Sequence, residues 1–137
     1  MIYLYTDGGA RGNPGIAGVG VYIQKDDSEV IKKLSKPLGI ATNNEAEYHA
    51  VILGFSRLIE YYGDELKTLH VELRLDSELV GRQLMGEYRV KEPRLRALYD
   101  EVNHLRQGVP LLTIKIIPRE KNKEADKLAN KAMDEQR

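Results

Sequence analysis

The chain has 137 residues, of which 42% are hydrophobic and 31% charged, and its formal net charge is zero. This composition predicts one domain over residues 1–137, with enough apolar side chains for a core without disulfide or metal staples. Because cysteine is absent, disulfides and thiolate sites are excluded, and oxygen is the main ligand type for any metal ion. No apolar run is long enough to cross a bilayer, and the N-terminus lacks a signal-peptide pattern, so we expect a cytoplasmic protein.

The first half of the chain predicts three strands followed by a long helix. Strands are predicted at 2–7, 16–24 and 29–38, separated by turns around 14–15 and 26–28. Because the turns are short, these strands should form an antiparallel meander. A helix is predicted over 43–62, where Thr42 and Glu45 match a capping box. Glu45 thus has a structural role, whereas the pattern explains none for Glu47.

The second half of the chain predicts alternating strands and helices. A fourth strand is predicted at 69–75, a short helix between Ser77 and Gly86, a helix from Pro93, a fifth strand at 112–116 and a last helix opened by residues 122–126. This order requires parallel strands with right-handed crossovers. The predicted fold class is therefore α/β, a mixed five-stranded sheet of three antiparallel plus two parallel strands, with helices on both faces.

Acidic residues recur where predicted elements begin or end, and four of them stand out: Asp7, Glu47, Asp76 and Asp126. Each alone has an ordinary explanation in turn chemistry or in the helix dipole. In an open sheet they could meet where the topology reverses, and four converging carboxylates would repel one another without a cation. Oxygen ligands suit Mg²⁺, with Mn²⁺ as a substitute, and a pair of such ions suits phosphodiester hydrolysis. A Ser/His nucleophilic site finds little support, because the histidines lie outside any serine motif.

Four segments surround these acids: residues 5–15 (YTDGGARGNPG), 42–47 (TNNEAE), 76–77 (DS) and 122–129 (NKEADKLA). Together they are collinear over nearly the whole chain, and they resemble ribonuclease HI. The resemblance implies a ribonuclease H-like fold and an endoribonuclease that cuts the RNA strand of RNA/DNA hybrids with two Mg²⁺ ions, leaving 3′-hydroxyl and 5′-phosphate ends. It also implies metal-binding roles. Asp7 would bridge both ions, Asp126 would hold the ion that activates water, and Glu47 and Asp76 would hold the other.

The same resemblance implies a groove for the hybrid. The residues placed like those that contact the minor groove and the RNA 2′-hydroxyls are Gly8, Gly12, Asn13, Asn43 and Asn44. Thr42 together with Asn44 resembles a site for a phosphate of the DNA strand. Helix capping is an alternative role for the asparagines, and the two roles are compatible.

The chain departs from the family pattern at three places. Many relatives carry a histidine in the loop before the last helix, whereas this loop has none, and Arg119 is the expected replacement among the catalytic residues. Some relatives carry a basic protrusion with tryptophans after the short helix. This chain has no Trp, and Arg89 and Lys91 are expected to provide part of the substrate binding that the protrusion provides in those relatives. Glu78 stands where relatives have a neutral amide, so the sequence does not establish a minor-groove contact at this position.

Two other functions stay open at this point. One is a related metal-dependent nuclease with broader duplex specificity, including double-stranded RNA. The other is a non-catalytic hybrid-binding module, which the presence of all four acids disfavours. Asn43 and Asn44 favour the hybrid as the partner, and we expect a monomer.

Overall fold

The computed structural model describes residues 1–26 and 28–136. Its strands are β1 (Ile2–Gly12), β2 (Gly15–Lys25), β3 (Glu29–Ala41), β4 (Val71–Leu75) and β5 (Leu112–Ile116). Its α-helices are α1 (Asn43–Tyr62), α2 (Glu78–Leu84), α3 (Pro93–Arg106) and α4 (Lys123–Asp134). Short 3₁₀ helices cover Gly63–Thr68 and Arg119–Lys121. Within the described ranges, no helix is long and apolar enough to span a bilayer.

The strands form one five-stranded sheet in the order β3-β2-β1-β4-β5. β3, β2 and β1 pair antiparallel, whereas β1, β4 and β5 pair parallel. The predicted mixed sheet is therefore confirmed, with β1 at its centre. The direction of the strand order reverses between β1 and β4, and this is the edge where an open α/β sheet binds its ligands.

The first strand is longer than predicted, and its predicted end at Asp7 was wrong. Pairing with β4 stops at Thr6 opposite Leu75, but pairing with β2 continues as far as Gly12 opposite Gly15. β1 therefore continues beyond the end of β4 and stays paired with β2, which itself pairs with β3 as far as Ala41. Asp7 is the first β1 residue without a β4 partner, so the carboxylate still lies at the switch point.

Smaller differences concern the other predicted bounds. β3 extends to Ala41 and therefore leads directly into the cap of α1. β4 begins at Val71 rather than at residue 69, since the 3₁₀ helix Gly63–Thr68 occupies the approach to the strand. The predicted turn at 26–28 includes Asp27, which lies outside the described residues.

The main core lies between the sheet and α1, with α2 and α3 beside it. Its largest fully buried side chains include Leu4 of β1 and Tyr48 and Phe55 of α1. α4 packs on the opposite face of β1 and β2, where a Cβ added to Gly20 would lie 2.1 Å from the carbonyl oxygen of Ala125. Since Gly20 pairs with Asp7, this close packing brings the start of α4 beside the switch point.

Candidate active site

Two of the four predicted acids come from neighbouring parallel strands. Asp7 follows the last β1 residue that pairs with β4, and Asp76 directly follows β4. Because paired parallel strands end at the same edge, the two carboxylates face one pocket. The third acid, Glu47, comes from the second turn of α1 and is only 8% exposed.

Gly8 allows α1 to bring Glu47 to this edge. A Cβ built on Gly8 would lie 2.2 Å from the carbonyl oxygen of Ala46, so no larger residue fits between β1 and α1. With the backbones in contact, the Gly8 amide donates a hydrogen bond to Glu47 Oε1. The capping box holds the start of the helix, since Thr42 and Glu45 exchange backbone-to-side-chain bonds of 2.9 and 3.1 Å. The predicted capping role of Glu45 is confirmed.

Three carboxylates converge closely and the fourth lies beside them. Asp7, Glu47 and Asp76 each offer one oxygen atom, and these atoms lie within 4.8 Å of one another. Asp126, in the first turn of α4, lines the same pocket but is not part of this tight group. Asn130 holds Asp126 from the next turn of the helix, with Nδ2 at 3.3 Å from Asp126 Oδ1.

The ionised form of these carboxyl groups is disfavoured at the positions where the fold holds them. Burial, followed by the charges of Asp76 and Asp126, raises the pKa of Asp7 to about 7. Burial also raises the pKa of Glu47 well above its ordinary value, and the charges of Asp7 and Asp76 add to the effect. The hydrogen bond from the Gly8 amide partly opposes that increase. Such a cluster is a favourable place for a cation, because positive charge offsets both burial and mutual repulsion.

The pocket around the cluster has a volume of about 450 Å³. Arg119, from the 3₁₀ helix before α4, lines it and is exposed to solvent. The predicted substrate residues Gly8, Asn43 and Asn44 also line it. A positive side chain and two amides therefore face the same space as the carboxylates, and such groups commonly bind phosphate oxygens.

A second depression of about 340 Å³ adjoins this pocket and shares Asn44 with it. It is lined by Asn13, Thr42, Asn44, Glu45, Glu92, Arg94 and Leu95. The predicted residues Asn13 and Thr42 thus lie together, and Arg94 adds a positive charge that the sequence motifs did not indicate. Asn13 Oδ1 accepts from the Asn43 backbone amide at 3.0 Å, so it caps α1 as well as facing this space.

The remaining predicted residues lie away from the carboxylates. Gly12 is at the hairpin between β1 and β2, with a φ of 96° that favours glycine. Glu78 begins α2, where it accepts from Arg82 Nε at 3.0 Å and does not line the carboxylate pocket. Arg89 and Lys91 are exposed beside a separate surface cavity of about 570 Å³. The structure therefore does not bring these four residues to the acidic cluster.

Several pocket residues were missed at the level of sequence. Asn130 lies one helical turn after Asp126, and this i, i+4 spacing could have indicated the contact. Arg11 donates to Asp134 at 2.6 Å and to Asn130 at 3.4 Å, which only the packing of α4 beside β1 reveals. Met133 of α4 also lines the pocket. No periodicity in the sequence distinguishes it from an ordinary core methionine.

The donor set fits a hard divalent cation. It consists of carboxylate oxygens alone, as Mg²⁺ and Mn²⁺ prefer, and two of the carboxyl groups have pKa values raised by burial and by their neighbours. Asp7, Glu47 and Asp76 are the residues that could hold the ion, and Asp126 is near enough to Asp7 to raise its pKa.

The fold and the position of the acidic cluster define a ribonuclease H-like domain. A solved structure of LC11-RNase H1, an enzyme isolated from compost, superposes with a TM-score of 0.94 and 46% identity over 98% of each chain. RNase H1 from Halobacterium salinarum superposes with a TM-score of 0.90 and 36% identity, again over 98% of each chain. The family described as reverse transcriptase-like matches residues 5–132.

The chain belongs to the type 1 ribonuclease H (ribonuclease HI) family. Ribonuclease HI of Halobacterium salinarum is 37% identical over 134 residues, which are 98% of this chain and 65% of the relative. The bifunctional protein Rv2228c of Mycobacterium tuberculosis is 37% identical over 134 residues, which are 97% of this chain and 35% of the relative. The chain thus spans less than two thirds of the length of these curated relatives.

Proposed function

We propose that this protein is an endoribonuclease that hydrolyses the RNA strand of RNA/DNA hybrids. The observation that carries the proposal is the convergence of Asp7, Glu47 and Asp76 within 4.8 Å at the switch point of a ribonuclease H-like sheet. Their positions in the chain match the motifs that resemble ribonuclease HI. The structure of the similar LC11 enzyme was solved in complex with an RNA/DNA hybrid, which supports the same class of substrate for this chain.

The proposed metal site takes Mg²⁺, with Mn²⁺ as a substitute, and holds two ions. Asp7, Glu47, Asp76 and Asp126 are the proposed ligands. A bound divalent ion there would lower the pKa of a coordinated water and neutralise charge on the phosphate. The chain itself supplies the spacing of the carboxylates, the hydrogen bond from Gly8 to Glu47, and the exclusion of water by burial of Glu47.

The proposed substrate contacts follow the two adjoining pockets. Gly8, Asn43 and Asn44 would contact the minor groove beside the carboxylates, where 2′-hydroxyls distinguish RNA from DNA. Thr42 and Asn44 would hold a phosphate of the DNA strand, with Asn13 beside them and Arg94 as the nearby positive charge. Arg119 would act at the scissile phosphate. Gly12 and Glu78 would contact the duplex only at its margins, and Arg89 and Lys91 would contact the DNA backbone from their separate surface.

The test is cleavage of one sequence prepared as a 5′-labelled RNA/DNA hybrid, as double-stranded RNA and as double-stranded DNA, each with Mg²⁺ or EDTA. The expected result is Mg²⁺-dependent cleavage of the RNA strand of the hybrid only. Equal cleavage of double-stranded RNA would favour the nuclease of broader specificity. Binding of the hybrid without cleavage by folded, metal-loaded protein would favour the non-catalytic module.

A further inference from the structure

A buried amide at the start of α4 contacts the parts of the chain that carry three of the acids. Asn122 is 1% exposed, and its Nδ2 donates to the carbonyl oxygen of Thr6 at 2.9 Å and to Asp76 Oδ2 at 3.1 Å. Thr6 directly precedes Asp7. The backbone carbonyl oxygen of Asn122 also accepts from the Asp126 backbone amide at 3.1 Å. One residue thus joins β1, the end of β4 and the first turn of α4.

The orientation of this amide is determined by its partners. Both Nδ2 neighbours are acceptors, a carbonyl oxygen and a carboxylate oxygen, so a rotated side chain would place Oδ1 against two acceptors and lose both bonds. Each of the two Nδ2 hydrogens therefore has its own partner. An aspartate of the same shape could not donate either bond when ionised.

Burial of Asn122 costs free energy that a purely structural residue could avoid. Its Oδ1 is buried and has no hydrogen-bond partner in the described part of the chain, and leaving a buried oxygen unsatisfied lowers the free energy of unfolding. Asn122 also caps α4 without any side-chain cap bond, so capping does not account for its side chain. The two bonds from Nδ2 are what the asparagine adds at this position.

We propose that Asn122 is a positioning residue for the metal site, holding Asp76 Oδ2 so that the carboxylate keeps the orientation in which it offers an oxygen to the group with Asp7 and Glu47. This proposal rests on the proposed function, because it assigns Asp76 as a metal ligand. By binding Thr6 at the same time, Asn122 fixes the separation between the ends of β1 and β4. Partners that orient a ligand in this way affect metal affinity by about 10- to 100-fold.

The experiment measures Mn²⁺ binding alone, without substrate, from the free Mn²⁺ signal in electron paramagnetic resonance. Asn122→Ala and the nearly isosteric Asn122→Leu are expected to bind Mn²⁺ about 10- to 100-fold more weakly than the wild type. The matched control is Gln83→Ala. Gln83 is another buried amide, 4% exposed, which accepts from Tyr48 Oη at 2.6 Å and donates to Arg89 O at 3.2 Å, away from the cluster.

The outcomes separate this inference from the proposed function. Gln83→Ala should lose stability, as seen in urea unfolding, but keep wild-type Mn²⁺ affinity within about twofold. If folded Asn122 variants bind Mn²⁺ as the wild type does, Asn122 has only a structural role and the inference is overturned. If the wild type itself binds no Mn²⁺, the metal site of the proposed function fails first, and the inference fails with it.

A measurement on the wild type decides the matter if both Asn122 variants fail to fold. The measurement follows the two side-chain amide protons of Asn122 by ¹H–¹⁵N NMR, since one is bonded to Thr6 O and the other to Asp76 Oδ2. Addition of Mg²⁺ should shift the proton bonded to Asp76 more than the other, because the ion withdraws charge from that carboxylate. Saturating Mg²⁺ that leaves both protons unshifted would overturn the inference.

Discussion

At the scale of single residues, the site is built from carboxyl groups whose ionised form is disfavoured by burial and by neighbouring negative charges. Glu47 is buried beside Asp7 and Asp76, and its only described backbone donor is the Gly8 amide. Burial and like charge raise the pKa of Asp7 to about 7, so both protonation states of this group are accessible near neutral pH. Carboxyl groups with such strongly raised pKa values are typical of functional sites.

Arg119 is the residue whose role can be tested most sharply by kinetics. Arg119→Ala should lower kcat on a hybrid by about 10- to 100-fold, the size expected for loss of one charge-assisted contact made mainly in the transition state. KM should change little. Lys121→Ala is the matched control, because Lys121 belongs to the same 3₁₀ helix and is exposed but does not line the carboxylate pocket. A change confined to KM would make Arg119 a phosphate-positioning residue instead.

At the scale of secondary-structure elements, the site depends on how closely α1 approaches β1. Gly8→Ala should destabilise the protein by about 1–3 kcal/mol, because its Cβ would collide with the Ala46 carbonyl oxygen and push Glu47 away from Asp7. Gly9→Ala is the control, since a Cβ there meets the terminal methyl carbon of Met133 at 3.6 Å and Asn43 Oδ1 at 4.0 Å, both ordinary contact distances. Urea unfolding measures both. Equal stability of the two variants would show that the helix shifts without cost.

The segment between α2 and α3 carries the exposed basic residues Arg89 and Lys91. If they contact the DNA backbone, the double Ala variant should bind hybrid more weakly whatever its sequence, and the slope of log K against log salt should fall by about 0.7–0.9 per lost contact. Binding is measured in Ca²⁺ to prevent cleavage. Lys32→Ala with Lys67→Ala removes the same charge from exposed sites elsewhere. An unchanged slope relative to that control would leave the segment as ordinary solvated surface.

Local patterns were enough to predict most elements, and packing explains what they missed. The capping box placed α1 at Asn43–Tyr62 as predicted, because Thr42 and Glu45 determine the start locally. The C-terminal end of β1 was predicted too early, because β1 stays paired with β2 after its pairing with β4 has stopped. Local sequence does not show how far each of these pairings extends. Motifs indicated the four acids, and the structure brings Asp7, Glu47 and Asp76 together. The contacts of Asn122 with Thr6 and Asp76 span 116 and 46 residues, a distance over which no local pattern is informative.

At the scale of the whole molecule, the acidic cluster makes the stability of the metal-free protein depend on pH. The pKa of Asp7 is raised from 3.8 to about 7 on folding, so the folded state binds the proton more tightly than the unfolded state. This contribution is fully present below about pH 4 and is lost as pH rises through about 7.

Asp7→Asn mimics the protonated carboxyl group and should remove that dependence. In EDTA, the variant should match the wild type just below pH 4 and exceed its free energy of unfolding by roughly 1–3 kcal/mol at pH 8. Urea unfolding of both proteins at the two pH values measures the difference. The variant also lowers the pKa of Glu47, because the charge of Asp7 helps to raise it, and this change acts in the same direction at pH 8. A wild type that is the more stable protein at pH 8 would contradict the assigned repulsion.

The most direct test of the account is single-turnover cleavage of an RNA/DNA hybrid by wild type and Asp7→Asn across a Mg²⁺ titration. The account predicts that the variant stays folded but cleaves about a thousand-fold more slowly at every Mg²⁺ concentration, a loss of about 4 kcal/mol of transition-state stabilisation. A neutral amide cannot replace the carboxylate at the centre of the cluster. Near wild-type cleavage by Asp7→Asn at saturating Mg²⁺ would contradict the claim that this cluster is the catalytic metal site.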